Sequence, residues 1–235
     1  MCGRRTAFRM TATPSEVAWG CRRVVGAVVP DARRPGSVRL LVDGRTLFTL
    51  AAEAAEAEGI VPGHVVDEAQ FERLSAAADQ EAALRTAFRL LERRPFAARD
   101  LARRLVQKGH PPEAASAAVE KASHMGLVND LVFARHYIET RAARGRGPLR
   151  LRRDLAALGV ERGVVDRTLV EVLDPDDGQY PGAEALARKR LGQLKGLPAS
   201  AQRRRLVAFL ARRGYGGDAV RQMVGRLLRS GSGER

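Results

Sequence analysis

Leucines spaced four apart and followed four residues later by glycine occur three times along the chain, as Leu101/Leu105/Gly109, Leu151/Leu155/Gly159 and Leu206/Leu210/Gly214. Leucines at that spacing share one helix face, and a glycine past the last turn accepts the left-handed conformation that ends a helix. Six and ten residues beyond each glycine comes a second apolar pair: Ala115/Val119, Val165/Leu169 and Val220/Val224. Each copy therefore predicts two helices joined by a short turn. A further amphipathic stretch upstream of each copy completes a three-helix unit, and a repeat of this kind sets the fold before any other signal is weighed.

In the first unit a long helix is expected from about Asp67 to Arg94, with a break near Ser75–Asp79 where its apolar face is weak. It is followed by helices over about Ala98–Lys108 and from Pro111 or Pro112 to His124. The second unit opens at Asn129 or Asp130, and its second and third helices cover Pro148–Leu158 and Glu161–Leu173. A turn-rich segment, 174–182, leads to a third unit with helices near Ala183–Lys195, Ala199–Arg213 and Asp218–Leu228.

Ahead of the repeats the period changes from 3.6 to 2. Two β-prone runs, Ser37–Val42 and Arg45–Leu50, flank Asp43-Gly44, a pair suited to the positive φ angles of a tight hairpin. Ala51–Glu58 reads as a short helix closed by Gly59. The fold class is mainly α: three tandem three-helix repeats forming an elongated curved solenoid, with a small N-terminal β-hairpin segment. The organisation is a disordered basic arm over 1–35 that includes a short strand at Arg23–Val29, and a hairpin with a short helix over 36–66. Repeats follow over 67–128, 129–174 and 183–229.

Charge separates these regions. The chain carries 41 basic residues against 27 acidic ones, a net charge of +14. Residues 36–81 hold three arginines against nine acids, so the repeats are the basic part. A field of that sign favours a polyanion or an acidic partner surface. Aromatic residues are only 5%, too few for base stacking along single strands to be the main mode. The four histidines (His64, His110, His124, His136) show no metal-ligand spacing, and neither a nucleophile elbow nor a phosphate-binding P-loop occurs. No enzyme activity, metal or cofactor is expected. Cys2 and Cys21 make no disulfide framework, and no apolar run nears the ~20 residues that span a bilayer, so a cytoplasmic location without membrane contact is expected.

Gly126-Leu127-Val-Asn-Asp130 followed by Phe133-Ala134, Gly147-Pro-Leu-Arg150 followed by Leu155 and Gly159, and Phe209-Leu210-Ala-Arg-Arg-Gly214-Tyr215 stand in order along the chain. These residues resemble the signature elements of the RecX family, over about 82–228. Ala97-Ala98-Arg99 stands where that family usually has a Ser or Thr capping the first unit's second helix, a departure that should weaken this N-cap by about 1 kcal/mol. The resemblance implies a non-enzymatic regulator that binds RecA and lodges in the groove of the RecA–DNA filament. There it would limit extension and inhibit ATPase, strand-exchange and co-protease activities, with weak direct binding to single- or double-stranded DNA. A monomer is expected. Among the motif residues Leu127, Phe133, Leu155 and Leu210 read as core, Gly126, Gly159 and Gly214 as helix ends, and Asp130 as an N-terminal cap, with Gly147 and Tyr215 completing the motifs. The expected contact residues are the arginines: Arg103, Arg104, Arg144, Arg146, Arg150, Arg152, Arg153, Arg204, Arg212 and Arg213. Short turns between three helices also fit a stand-alone, helix-turn-helix-like DNA-binding regulator, and the residues alone leave both readings open.

Overall fold

The computed structural model describes residues 23–173 and 181–230. They fall into two compact units divided between Glu81 and Ala82.

The first unit is built on the expected hairpin. Strands β3 (Ser37–Val42) and β4 (Arg45–Ala51) pair antiparallel, and Asp43 and Gly44 turn the corner at φ 51° and 72°. The sheet has a third strand. β2 (Ala27–Pro30) pairs with β3 on its other edge, while β1 (Arg23–Val24) pairs with β5 (Val65–Val66). The short strand expected at Arg23–Val29 is present as two strands broken at Val25-Gly26, and 30–35, expected within the disordered arm, ends β2 and turns into β3; 1–22 lie outside the described residues. β-Branched Val24, Val25, Val28 and Val29 supply strand propensity, but the partner strand β3 decides the outcome. Helix α1 (Ala52–Ala57) follows β4, and the start of α2 (Glu68–Leu91) completes the layer. Val25, Leu40, Leu50, Ile60 and Leu74 are buried together, with Phe48 against Phe71 at 5.0 Å between ring centres. The hairpin is therefore supported by a core of its own, as an isolated hairpin in water would not be. Helix α2 runs unbroken through Ser75–Asp79, where a break was expected; alanines 76, 77 and 78 keep the helix favourable despite the weak apolar face.

The second unit consists of the three repeats. After the end of α2 come α3 (Ala98–Gln107) and α4 (Pro112–His124), then α5 (Asp130–Ala142), α6 (Pro148–Leu158) and α7 (Arg162–Leu173). The third repeat is α8 (Pro181–Gly192), α9 (Ala199–Arg213) and α10 (Asp218–Ser230). The expected linker over 174–182 lies largely outside the described residues, as does the tail beyond Ser230. Each repeat has its own apolar cluster, and all six leucines of the repeated phrase are fully buried in them. The phrase glycines have φ near +90°, as a left-handed helix end demands.

What links one repeat to the next is a contact that no single repeat reveals. At Gly159 an added methyl would lie 2.5 Å from Cβ of Arg99, in the first turn of α3. At Gly214 it would lie 2.5 Å from the backbone nitrogen of Arg150, in the first turn of α6. Gly109, with no earlier phrase to dock on, has nothing within 4 Å of such a methyl. The second helices thus abut end to end, the C-terminus of α9 on the N-terminus of α6 and the C-terminus of α6 on the N-terminus of α3. Amides of Gly147 and Leu149 donate to the carbonyls of Arg213 (2.7 Å) and Gly214 (3.1 Å), so the last carbonyls of α9 satisfy free donors of α6. At the other junction Arg103 donates to the carbonyl of Ala157 in the last turn of α6 at 2.8 Å.

The side-chain cap missing at Ala97 is also supplied across a junction. The amide of Ala98 donates to Oδ1 of Asp130, 32 residues away, at 2.8 Å. Asn129 caps α5 itself, its side chain accepting from the amides of Leu131 and Val132. Asp130 is therefore a cap, as expected, but for α3 rather than for its own helix. Asp130→Ala should lower unfolding free energy by about 1 kcal/mol, seen as an earlier urea midpoint. Asp130→Asn keeps an acceptor oxygen and should retain most of that stability.

Candidate functional site

The motif residues divide between core and junction. Phe133, Leu155, Leu210 and Tyr215 are buried, and Gly126 takes φ 74° after α4. Gly147 begins α6 against the backbone of Gly214 and Tyr215. Leu127 departs from its expected place in the core. It is 50% exposed, because the turn after Gly126 points Val128 inward instead, at 5%.

The ten arginines expected to make contacts also divide. Five are held by carboxylates within the fold. Arg103 and Arg104 approach Asp100 at 3.4 and 3.7 Å, Arg146 and Arg150 approach Asp154 at 2.7 and 3.9 Å, and Arg152 meets Asp166 at 2.7 Å. The hydrogen bond from Arg152 holds the Asp166 carboxyl below the ordinary aspartate range despite the opposing effect of burial, and Arg162 adds to it. Arg213 packs its guanidinium over the Phe209 ring, 4.9 Å from its centre, with Arg190 at 5.7 Å from the same ring. The remaining four, Arg144, Arg153, Arg204 and Arg212, are exposed and have no carboxylate partner among the described residues.

The phrase does not bring its arginines to one repeated position. Arg103 and Arg153 each stand six residues before the cap glycine, whereas Arg212 and Arg213 stand two and one before it. What concentrates charge is the third repeat. Residues 181–230 carry twelve bases against Glu184 and Asp218, while 129–173 carry nine against six. Both acids of the third repeat are engaged, Glu184 by Arg188 and Asp218 by Arg221. Arg203 and Arg205 flank Arg204 on α9 and are equally exposed and unpaired among the described residues. The Arg203-Arg204-Arg205 run was the available signal for these two residues, since three consecutive side chains fan over more than half the turn of a helix and cannot all be buried. Such a surface offers guanidinium donors free to take phosphate oxygens or carboxylates bidentately.

No His, Cys, Asp or Glu group suited to a metal ion occurs among the described residues, and none of their helices is long and apolar enough to cross a membrane.

Comparison with known proteins gives this geometry a context. Residues 83–121, 129–169 and 179–224 match sequence models of the first, second and third three-helix domains of RecX. The chain is similar to the regulatory protein RecX of Halorhodospira halophila, 35% identical over 147 residues that cover 62% of this chain and 88% of the relative. It is likewise similar to that of Pseudomonas syringae pv. tomato, 36% identical over 151 residues, 64% and 92% of the two chains. A crystal structure of regulatory protein RecX superposes with a TM-score of 0.72 at 20% identity, covering 87% of this chain and 99% of that one. A RecX from Lactobacillus salivarius gives 0.57 at 18% identity, covering 63% and 96%. At these identities the two structures speak for the fold alone.

Proposed function

The chain belongs to the RecX family of regulatory proteins, and from that premise we propose that it binds the RecA recombinase and the groove of the RecA–DNA filament, without catalysis of its own. In this reading it limits filament extension and inhibits ATPase, strand exchange and co-protease activity. It acts in the cytoplasm as a monomer.

The observation that carries the proposal is the distribution of free charge. Arginines of the first two repeats are largely occupied in holding the fold, while the third repeat presents Arg203, Arg204, Arg205 and Arg212 with no competing carboxylate among the described residues. A surface of this kind gains affinity from filament phosphates and acidic protein side chains together.

A stand-alone helix-turn-helix regulator is less well supported. Such a unit reads bases with the N-terminal part of its recognition helix. In the three repeats the third helices open next to acids: Glu113 in the first turn of α4, Glu161 just before α7, and Asp218 in the first turn of α10. Carboxylates at those positions repel the phosphates flanking a major groove.

The test is the rate of RecA-catalysed ATP hydrolysis on single-stranded DNA with this protein added below the RecA concentration. A falling rate and shorter filaments are expected. An unchanged rate together with unchanged filament length rejects the proposal, and tight sequence-selective binding to naked duplex would favour the stand-alone reading.

A further inference from the structure

Between the first two repeats lies a cleft of about 620 Å3, bounded by α3, α5 and α6 and by the loop before α3. Four guanidiniums line it, Arg94, Arg103, Arg141 and Arg146, against two carboxylates, Asp100 and Asp154. The carboxylates leave an excess of two positive charges, and they also fix where those charges point. Asp100 lies 3.4 Å from Arg103 and 3.6 Å from Arg94; Arg103 also donates to the Ala157 carbonyl at 2.8 Å and Arg94 to the Pro95 carbonyl at 3.2 Å, and each five-donor guanidinium keeps further N–H groups for a ligand. Asp154 holds Arg146 at 2.7 Å and accepts from the Tyr137 hydroxyl at 3.4 Å. Arg141 has no carboxylate partner among the described residues and lies over the Tyr137 ring, 5.2 Å from its centre.

We propose that this cleft binds a phosphate dianion, either free inorganic phosphate or the phosphomonoester of a small organic ligand. Two negative charges match the excess of two, and guanidiniums held in place by neighbouring carboxylates lose little freedom when they take phosphate oxygens. The volume exceeds what phosphate alone occupies and lies within the ~300–1,000 Å3 of small-molecule sites, which leaves room for an organic portion against Phe133 and Tyr137. Asp100 and Asp154 disfavour a continuous polyanion, whose charges recur every few ångströms, but tolerate a single dianion seated among the arginines.

The full-length chain is titrated calorimetrically with inorganic phosphate, with adenosine monophosphate and with succinate. Saturable one-to-one binding of phosphate and of the monophosphate is expected, the latter tighter if the organic portion engages the cleft. Arg141→Gln should weaken both about tenfold, the loss of one charge-assisted hydrogen bond, while Lys108→Gln, an equal change of net charge on exposed surface, leaves them unaltered. Circular dichroism establishes that both variants remain folded; should Arg141→Gln not fold, Arg141→Lys takes its place, with a smaller loss for want of the planar fork. The proposal is overturned by any of three results: no saturable phosphate binding, equal affinity in wild type and the Arg141 variant, or succinate bound at least as tightly as phosphate. The last would mark the cleft as a receptor for acidic side chains.

Discussion

Gly214→Ala should destabilise the repeat unit by about 2–5 kcal/mol, against about 1–2 kcal/mol for Gly109→Ala. The two glycines have nearly the same backbone, φ 91° and 93°, so the cost of an L residue in the left-handed region is common to both. They differ in surroundings. A methyl on Gly109 meets open space, while one on Gly214 runs into Arg150 at its backbone nitrogen. Relief requires α9 to withdraw from α6, which also breaks the hydrogen bonds from Gly147 and Leu149. Urea midpoints measure the difference, and hydrogen exchange at the amides of Gly147 and Leu149 locates it, since only the Gly214 variant should expose them. Gly159→Ala should resemble Gly214→Ala because its methyl meets Cβ of Arg99. Equal losses at 109 and 214 would mean that the junction contributes nothing to stability.

Replacing Arg153, Arg204, Arg205 and Arg212 together by Gln should weaken association with RecA-coated single-stranded DNA on the order of a hundredfold at low salt, about 0.7 kcal/mol for each charge. Where those charges meet phosphates, the slope of log affinity against log salt falls by about 0.9 for each lost contact. Thermal stability should hold, because these four side chains have no carboxylate partner in the fold among the described residues. The opposite pattern is expected for Arg103, Arg146 and Arg152, because Asp100, Asp154 and Asp166 would each lose their shortest arginine contact and keep only longer ones, from Arg94 and Arg104, from Arg150 and from Arg162 in turn. For these, stability falls first and binding follows. Unchanged filament affinity in the quadruple variant would remove Arg153 of α6 and Arg204, Arg205 and Arg212 of α9 from the interface.

The repeats were legible in the sequence because both of their signals are local. Burial of Leu151 and Leu155 follows from a four-residue spacing, and the left-handed glycine from its place after the last turn. The Asp43-Gly44 corner is local in the same way. The parts that could not be read are those decided by residues far apart in the chain. Nothing near Ala98 announces that Asp130 will accept its amide, and β2 has no turn signal tying it to β3 as strong as the one that ties β3 to β4. Leu127 looked like core since leucine usually is, yet the turn at Gly126 gave that place to Val128. Among the candidate contact residues, the run of arginines was visible, but which of them are free depends on acids elsewhere: Asp154 reaches Arg146 from the next helix, Asp166 reaches Arg152 from the third.

The end-to-end contact of the second helices has a consequence for how the chain matures on the ribosome. Synthesis delivers the first repeat earliest, yet α3 receives the cap of its first turn from Asp130, and α6 has its opening amides satisfied by carbonyls at 213 and 214. Those partners emerge 32 and more than 60 residues later, a delay of several seconds at about 5–20 residues per second. Each of the first two repeats therefore leaves the exit tunnel with a helix end unfinished and is completed by its successor, so consolidation travels backward along the chain while translation moves forward.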